Sequence, residues 1–190
     1  MNMKKIYIIG CVGSGKSTFA KRLSRQLDIP YYELDEIAYR RTNGKREKVT
    51  VQEQESILAD IDNAGAWILE GVYRKSYHSI LDKCDTIIFL DPPLGERRIN
   101  IIKRFIKQQI GIATCNYKSD LKMLSLMLKW NKDFETTKVL FEKRLKPYQE
   151  KIIYIINPKK MKKIDIDKLS NIKGFKGVMI KKVKKPKKSL

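Results

Sequence analysis

Apolar residues fall along this chain in short, unbroken runs set between longer stretches of mixed character. Ile6-Tyr7-Ile8-Ile9, Trp67-Ile68-Leu69, Thr86-Ile87-Ile88-Phe89-Leu90 and residues 152–156 are rich in β-branched and aromatic side chains. Each is too short for a helix and reads as a buried strand. Residues 31–34, after the break at Ile29-Pro30, form a shorter candidate strand. The intervening stretches carry helical spacing instead: Phe19, Ala20, Leu23 and Leu27 predict a helix over 17–27, and further helices are predicted at 51–64, 76–83, 97–110 and 120–146. In the last of these, Leu121, Leu124, Leu128 and Trp130 make much of the expected apolar stripe. Residues 40–50, with Asn43-Gly44, read as a loop, residues 111–119 as a break, and Asp91-Pro92-Pro93 stops the fourth strand. Strands alternating with helices predict an α/β fold, a parallel sheet covered on both faces.

Length and charge refine this picture. At 190 residues the chain supports one domain with a sizeable core. The formal charge is +20, unevenly spread: residues 159–190 hold thirteen lysines against Asp165 and Asp167, about +11 of the total. Such a basic end either solubilises the protein or contacts nucleic acid without regard to sequence. A weaker reading is a tether to a membrane surface. Cys11, Cys84 and Cys115 are scattered and offer neither a disulfide framework nor a metal pair. With no run approaching a membrane span and no convincing leader, a cytoplasmic protein is expected.

The junction between the first strand and first helix carries the chemistry. Gly10-Cys11-Val12-Gly13-Ser14-Gly15-Lys16-Ser17 fits G-x-x-x-x-G-K-[ST]. Glycines let the backbone curl with its N–H groups inward, where they cradle phosphate oxygens at the positive end of the following helix. Lys16 suits the β- and γ-phosphates, and the Ser17 hydroxyl suits Mg²⁺. Thr18 completes the expected nucleotide contacts. Strand, loop and helix stand in the order the motif requires.

Other candidates cluster at predicted strand ends, where α/β proteins bind ligands. Glu70, after the third strand, could hold the metal or orient the attacking hydroxyl, and Arg74 could grip a transferring phosphoryl group. Asp91 ends the fourth strand and competes with Glu70 for the metal-supporting role. Asp35 either receives a proton from, or binds, the acceptor, or it caps the following helix. Arg40 and Arg41 nearby could contact an acceptor phosphate. Arg97, Arg98, Lys103, Arg104 and Lys107 concentrate positive charge on one helix; Arg97 and Arg104, seven apart, share a face that could close over the triphosphate, unless it is merely solvated. His78, the only histidine, reads as structural. Asn131-Lys132-Asp133-Phe134 does not fit the guanine signature N-K-x-D, which argues against a GTPase switch.

The loop, Leu34-Asp35, Trp67 to Gly71, Ile87 to Asp91 and Tyr154-Ile155-Ile156-Asn157-Pro158 occur in the order seen in adenylate-kinase-like small kinases, which the chain resembles from about Lys4 to Lys160. More narrowly it resembles bacterial proteins labelled "DNA topology modulation protein FlaR-related". The resemblance implies a P-loop NTPase three-layer α/β/α fold with a five-stranded parallel sheet in the order 2-3-1-4-5. It implies a kinase-like domain over residues 1–160 with a helical lid at about 97–135, followed by a basic extension over 161–190. The family's Asp-Gly-x-x-Arg motif would fall on Glu70, Gly71 and Arg74, its lid arginines on Arg97 or Arg98 and on Arg104, and Asn157 would lie near the adenine. Glu70 in place of Asp, and the missing threonine–glycine turn before the second helix, argue against adenylate kinase activity itself.

Together these readings predict an ATP- and Mg²⁺-dependent phosphotransferase acting on a small hydroxyl- or phosphate-bearing acceptor of nucleoside or nucleotide type, with other small alcohols left open because pocket shape, not spacing, decides between them. The alternative is an ATP-dependent, nucleic-acid-associated regulatory protein with little kinase turnover.

Overall fold

The computed structural model describes residues 3–42, 45–113, 115 and 117–160. In chain order its principal elements are β1 (Lys5–Gly10), α1 (Lys16–Leu27), β2 (Tyr31–Glu33), α2 (Leu34–Ala38), β3 (Tyr39–Thr42), β4 (Lys45–Lys48) and α3 (Val51–Asn63). There follow β5 (Trp67–Gly71), α4 (His78–Lys83), β6 (Thr86–Leu90), α5 (Leu94–Gln109), α6 (Leu121–Leu145) and β7 (Ile152–Ile155). Five strands form one sheet in the order β2-β5-β1-β6-β7, every pairing parallel. Counted among those five alone, this is the expected 2-3-1-4-5.

Period-two alternation along the strands sends successive side chains to opposite faces and so builds two cores. Ile6, Ile8, Ile68, Ile88, Leu90, Ile153 and Ile155 pack with Phe19, Ala20 and Leu23 of α1. Tyr7, Ile9, Trp67, Leu69, Ile87, Phe89 and Ile152 pack on the other face with Ile37, Ile61, Leu81 and Leu145 from α2, α3, α4 and α6. The sheet is therefore covered on both sides, which is why its strands read as continuous apolar runs.

Three elements differ from the sequence reading. Residues 40–50 include a β-hairpin rather than only a loop: β3 and β4 pair antiparallel, with Tyr39 opposite Lys48 and Arg40 opposite Glu47. Arg46 lies 3.9 Å over the Tyr39 ring and Arg40 binds Glu53, so polar and cation–π contacts hold a hairpin that lacks an apolar pattern. The second strand ends at Glu33, one residue early, which puts Asp35 in the first turn of α2.

The apolar stripe expected on α6 is also displaced. Leu121 is 73% and Trp130 48% exposed, whereas Met127, Asn131, Phe134, Lys138, Phe141 and Leu145 face the rest of the molecule. That seam advances by alternating steps of four and three, with polar residues at two of its positions. Asp120 caps α6 by accepting from the Met123 N–H at 2.8 Å. The lid expected at about 97–135 falls on α5, the segment after it and the first half of α6, and the two helices pack on each other. The basic extension at residues 161–190 lies outside the described residues.

All five parallel strands point their carboxyl ends to one edge. The phosphate loop leaves β1 there, Asp35 follows β2, Glu70 and Gly71 end β5, Asp91 follows β6 and Asn157 follows β7. That edge is where the fold gathers its chemistry.

Candidate active site

The phosphate loop is seated on α5. Gly13 has φ +77°, and a side chain there would meet the Arg97 carbonyl oxygen at 2.6 Å, so only glycine lets the loop lie this close. Gly15 caps α1 in the left-handed region, at φ +91°, and its Cβ direction is open, with no atom within 4 Å. Asn100 of α5 donates to the Gly13 carbonyl at 2.7 Å. Inside the loop the Ser14 hydroxyl is buried without a hydrogen-bond partner among the described residues, and Lys16 Nζ reaches across to the Cys11 carbonyl at 3.1 Å. Cys11 is buried, its Sγ 4.0 Å from Asn131 Oδ1. Burial raises its thiol pKa above the ordinary value, so the group is suited to packing.

A cleft of about 710 Å³ opens over this loop, lined by Gly13 to Thr18 and closed on its far side by Arg22, Asn100, Lys103, Arg104, Lys107, Pro158 and Lys159. Its orphaned hydroxyl, its open glycine and its ring of cations fit a bound nucleoside triphosphate. Arg104 stands on the cleft wall, its guanidinium against Met127 Sδ at 2.9 Å. Asn157 is half-buried beside Pro158 and Lys159, which do line the cleft. Arg22, Asn100 and Lys159 escaped the sequence reading because they lie on three separate elements; Arg22 binds the Pro158 carbonyl and Lys159 binds Asn100 Oδ1, which draws those elements together.

Glu70 is 4% exposed and accepts a hydrogen bond from Ser17 Oγ at 2.5 Å. Burial pushes its carboxyl above the ordinary range, opposed by the Lys16 ammonium and the Ser17 hydroxyl. Glu33, directly opposite Glu70 in the sheet register, is raised by burial and then by Glu70 itself. Ser17 and Glu70 are the oxygen pair that would hold a magnesium ion, a hard cation that takes carboxylate and hydroxyl ligands.

Asp35 and Arg74 meet at 2.6 Å, and the Arg74 guanidinium lies 6.0 Å from the Tyr39 ring and 5.9 Å from Tyr77. Asp35 is thus an ion-pair partner of Arg74; the N-cap position of α2 belongs to Glu33. Arg40, by contrast, binds Glu53.

Arg97 is placed otherwise than its shared face with Arg104 suggested. It is 1% exposed, stacks 5.2 Å from Phe134 and pairs with Glu135 and Asp91, while Lys138 also binds Asp91. It therefore fastens α5 and α6 to the end of β6 and does not line the cleft, because two acidic side chains and an aromatic face hold it on the inner side. Asp91 is consumed by the same network, which leaves Glu70 as the acidic strand end beside Ser17. Arg98 is exposed on α5 and does not line the cleft.

A second cavity, of about 310 Å³, touches the phosphate loop at Gly10 and is walled by Val72, Tyr73, Phe134, Thr137, Leu140, Phe141 and Arg144. Of its α6 residues, Phe134 and Phe141 belong to the seam, whereas Thr137, Leu140 and Arg144 lie on the neighbouring, more exposed strip of the helix, one position before Lys138, Phe141 and Leu145. Among the described residues no helix is long and apolar enough to cross a membrane.

A sequence model of the family described as Shikimate kinase matches residues 12–64. Among curated proteins the chain is similar to the Shikimate kinase of Aquifex aeolicus, 27% identical over 90% of this chain and 96% of that protein. It is likewise similar to that of Sulfurihydrogenibium sp., 24% identical over 77% of this chain and 84% of the relative. Among solved structures, Shikimate kinase from Acinetobacter baumannii in complex with shikimate aligns at a TM-score of 0.46 and 15% identity, covering 75% of this chain and 80% of that one. With the phosphate loop and the five-stranded parallel sheet already described, the sequence matches make the chain an ATP-dependent small-molecule kinase of the P-loop class.

Proposed function

We propose that the chain moves the γ-phosphoryl group of ATP to a hydroxyl of a small, ring-shaped, hydroxylated carboxylic acid of the shikimate type. The observation that carries this reading is the cavity of about 310 Å³ that begins at Gly10 of the phosphate loop and ends at Arg144. It lies at the small end of the range of about 300–1,000 Å³ for ligand pockets, which favours one compact ring over a base, sugar and phosphate together. Its walls are apolar and aromatic, which suits a ring face, and Arg144 supplies a cation for a carboxylate. The names of the matched relatives point to the same acceptor, which falls within the hydroxyl-bearing class expected from the sequence and outside its nucleoside or nucleotide type.

Phosphoryl transfer asks for little covalent chemistry from the protein: it needs alignment and charge neutralisation. Lys16 and the loop N–H groups would hold the triphosphate, with Arg104 and Lys159 across the cleft. Ser17 and Glu70 would hold magnesium, whose charge would offset that of the phosphates when bound. Asp35 and Arg74, paired beside the end of β5, would orient the acceptor at the mouth of its cavity. Glu70, buried and joined to Ser17, is placed to hold the first turn of α1 against β5 while the phosphoryl group moves.

Arg144→Met tests the acceptor assignment. The acceptor KM is expected to rise by about tenfold or more, the loss of one charge-assisted contact, with the ATP KM unchanged. Equal acceptor KM values in the two proteins would contradict it.

A further inference from the structure

A chain of four side chains leads away from the acceptor cavity along the surface of the molecule. Tyr73, which lines the cavity, places its hydroxyl 3.1 Å from His78 Nδ1. His78 Nε2 lies 3.3 Å from the Tyr148 hydroxyl, and Tyr148 donates to Asp82 Oδ1 at 2.7 Å. The rings are stacked edge to face along the same path, Tyr73 to His78 at 6.3 Å and His78 to Tyr148 at 6.0 Å, and Tyr73 packs on Phe141 of the cavity wall at 5.5 Å.

For the neutral imidazole, the direction of this chain follows from its Asp82 end. Tyr148 has a single proton and gives it to the Asp82 carboxylate, which raises the phenol's pKa to about 12. Toward the imidazole the Tyr148 oxygen can then only accept, so the ring proton sits on Nε2. Nδ1 is left with its lone pair and accepts the hydrogen bond that the Tyr73 hydroxyl donates. Tyr73 therefore has no proton to spare for the cavity, but its oxygen keeps a lone pair.

We propose that Tyr73 reads a hydroxyl of the acceptor, as the hydrogen-bond acceptor in that contact, and that His78 is the positioning residue that fixes this polarity. The consequence is a choice of ligand orientation. A hydroxyl is favoured at Tyr73 and a carboxylate disfavoured there, since the latter would face an oxygen with nothing to donate. The carboxylate is left to Arg144. This inference rests on the acceptor reading of the cavity.

His78 is the chain's only histidine, so its imidazole nitrogens can be followed by NMR without assignment ambiguity. In the wild-type protein the Nε2–H tautomer is expected, and Tyr148→Phe is expected to return the ring to a mixture. Adding shikimate should shift the Nδ1 signal, and Tyr73→Phe should abolish that shift. In turnover, Tyr73→Phe and His78→Ala are each expected to raise the acceptor KM about three- to tenfold, the net value of one hydrogen bond, with the ATP KM unchanged. The double variant should be no worse than Tyr73→Phe alone, and His78→Asn, whose carbonyl can accept from Tyr73, should recover part of the loss. Should His78→Ala fail to fold, Tyr148→Phe and the wild-type titration carry the test. Saturable shikimate turnover with no change at His78 and no KM change in Tyr73→Phe would overturn the relay and leave the acceptor reading standing. No shikimate binding by the wild type would overturn both.

Discussion

The Ser17 hydroxyl donates to Glu70 Oε1 at 2.5 Å, tying the first turn of α1 to the end of β5 across 53 residues of sequence. It makes Glu70 the acidic strand end in contact with the phosphate loop, while Asp91 is occupied by Lys138 and Arg97. Glu70→Gln, which keeps shape and removes charge, is expected to lower kcat on the order of 10²-fold with a smaller change in ATP affinity. Asp91→Asn should instead lower the unfolding temperature. Steady-state kinetics of both variants decide; turnover lost in Asp91→Asn and kept in Glu70→Gln would reverse the assignment.

The raised Glu70 carboxyl has two consequences for pH. Burial favours its neutral form, so in the metal-free protein it takes up a proton before an exposed glutamate would, and Mg²⁺ affinity should begin to fall on acidification from above the ordinary glutamate range. For stability, the native state binds this proton more readily than the unfolded chain. The Glu70 contribution is therefore fully favourable below its ordinary pKa and is lost as pH rises through the raised one. Thermal unfolding of wild type and Glu70→Gln across this window should show the variant gaining relative stability as pH rises. A constant difference would contradict the burial argument.

Much of this was legible in the sequence, for physical reasons that differ by element. The sheet strands are buried on both faces, so Ile6 to Ile9 and Thr86 to Leu90 announce themselves as apolar runs, and the loop follows because its backbone geometry demands glycine. What escaped is polar burial. Arg97 carries the same side chain as Arg104, and only the acids that reach it from Asp91 and Glu135 turn it inward. The α6 seam puts Asn131 and Lys138 where a hydrophobic stripe would have put leucine, and Arg144, a cavity residue, sits on the same helix as ordinary surface charge.

Arg97 supplies the matching stability test. Arg97→Met is expected to cost about 2–3 kcal/mol, less than the roughly 3–5 kcal/mol of a wholly buried pair, because Glu135 is half open to water and Asp91 keeps Lys138. Denaturant unfolding measures it. A change below about 0.5 kcal/mol, as at an ordinary surface position, would contradict the anchoring role.

Asp35 and Arg74 form a partly exposed pair at 2.6 Å, of a kind worth about 0–1 kcal/mol to stability. Asp35→Asn is therefore expected to leave the unfolding temperature nearly unchanged while raising the acceptor KM about tenfold, with the ATP KM constant. Kinetics with each substrate varied in turn separate the two; a rise confined to the ATP KM would move the pair to the nucleotide side.

Lys16 bonds only the Cys11 carbonyl among the described contacts and otherwise offsets the buried Glu70 carboxyl, a group that burial already inclines to its neutral form, so losing the Lys16 charge should disturb the fold little. Lys16→Ala should keep the wild-type circular dichroism and melting curve and lose about 10²–10³-fold in turnover, comparable to removing one preorganised transition-state donor. Near-normal turnover would remove the phosphate-loop assignment.

The measurement that tests the central claim most directly is coupled ADP release by the wild-type protein, with ATP and Mg²⁺, across shikimate, related hydroxylated ring acids, nucleosides and nucleoside monophosphates. Saturable ADP release with shikimate or a close ring acid, absent in Lys16→Ala and far above the rate with any nucleoside or nucleotide, is the expected result. Saturation by a nucleoside or nucleotide, with the ring acids inert, would contradict it.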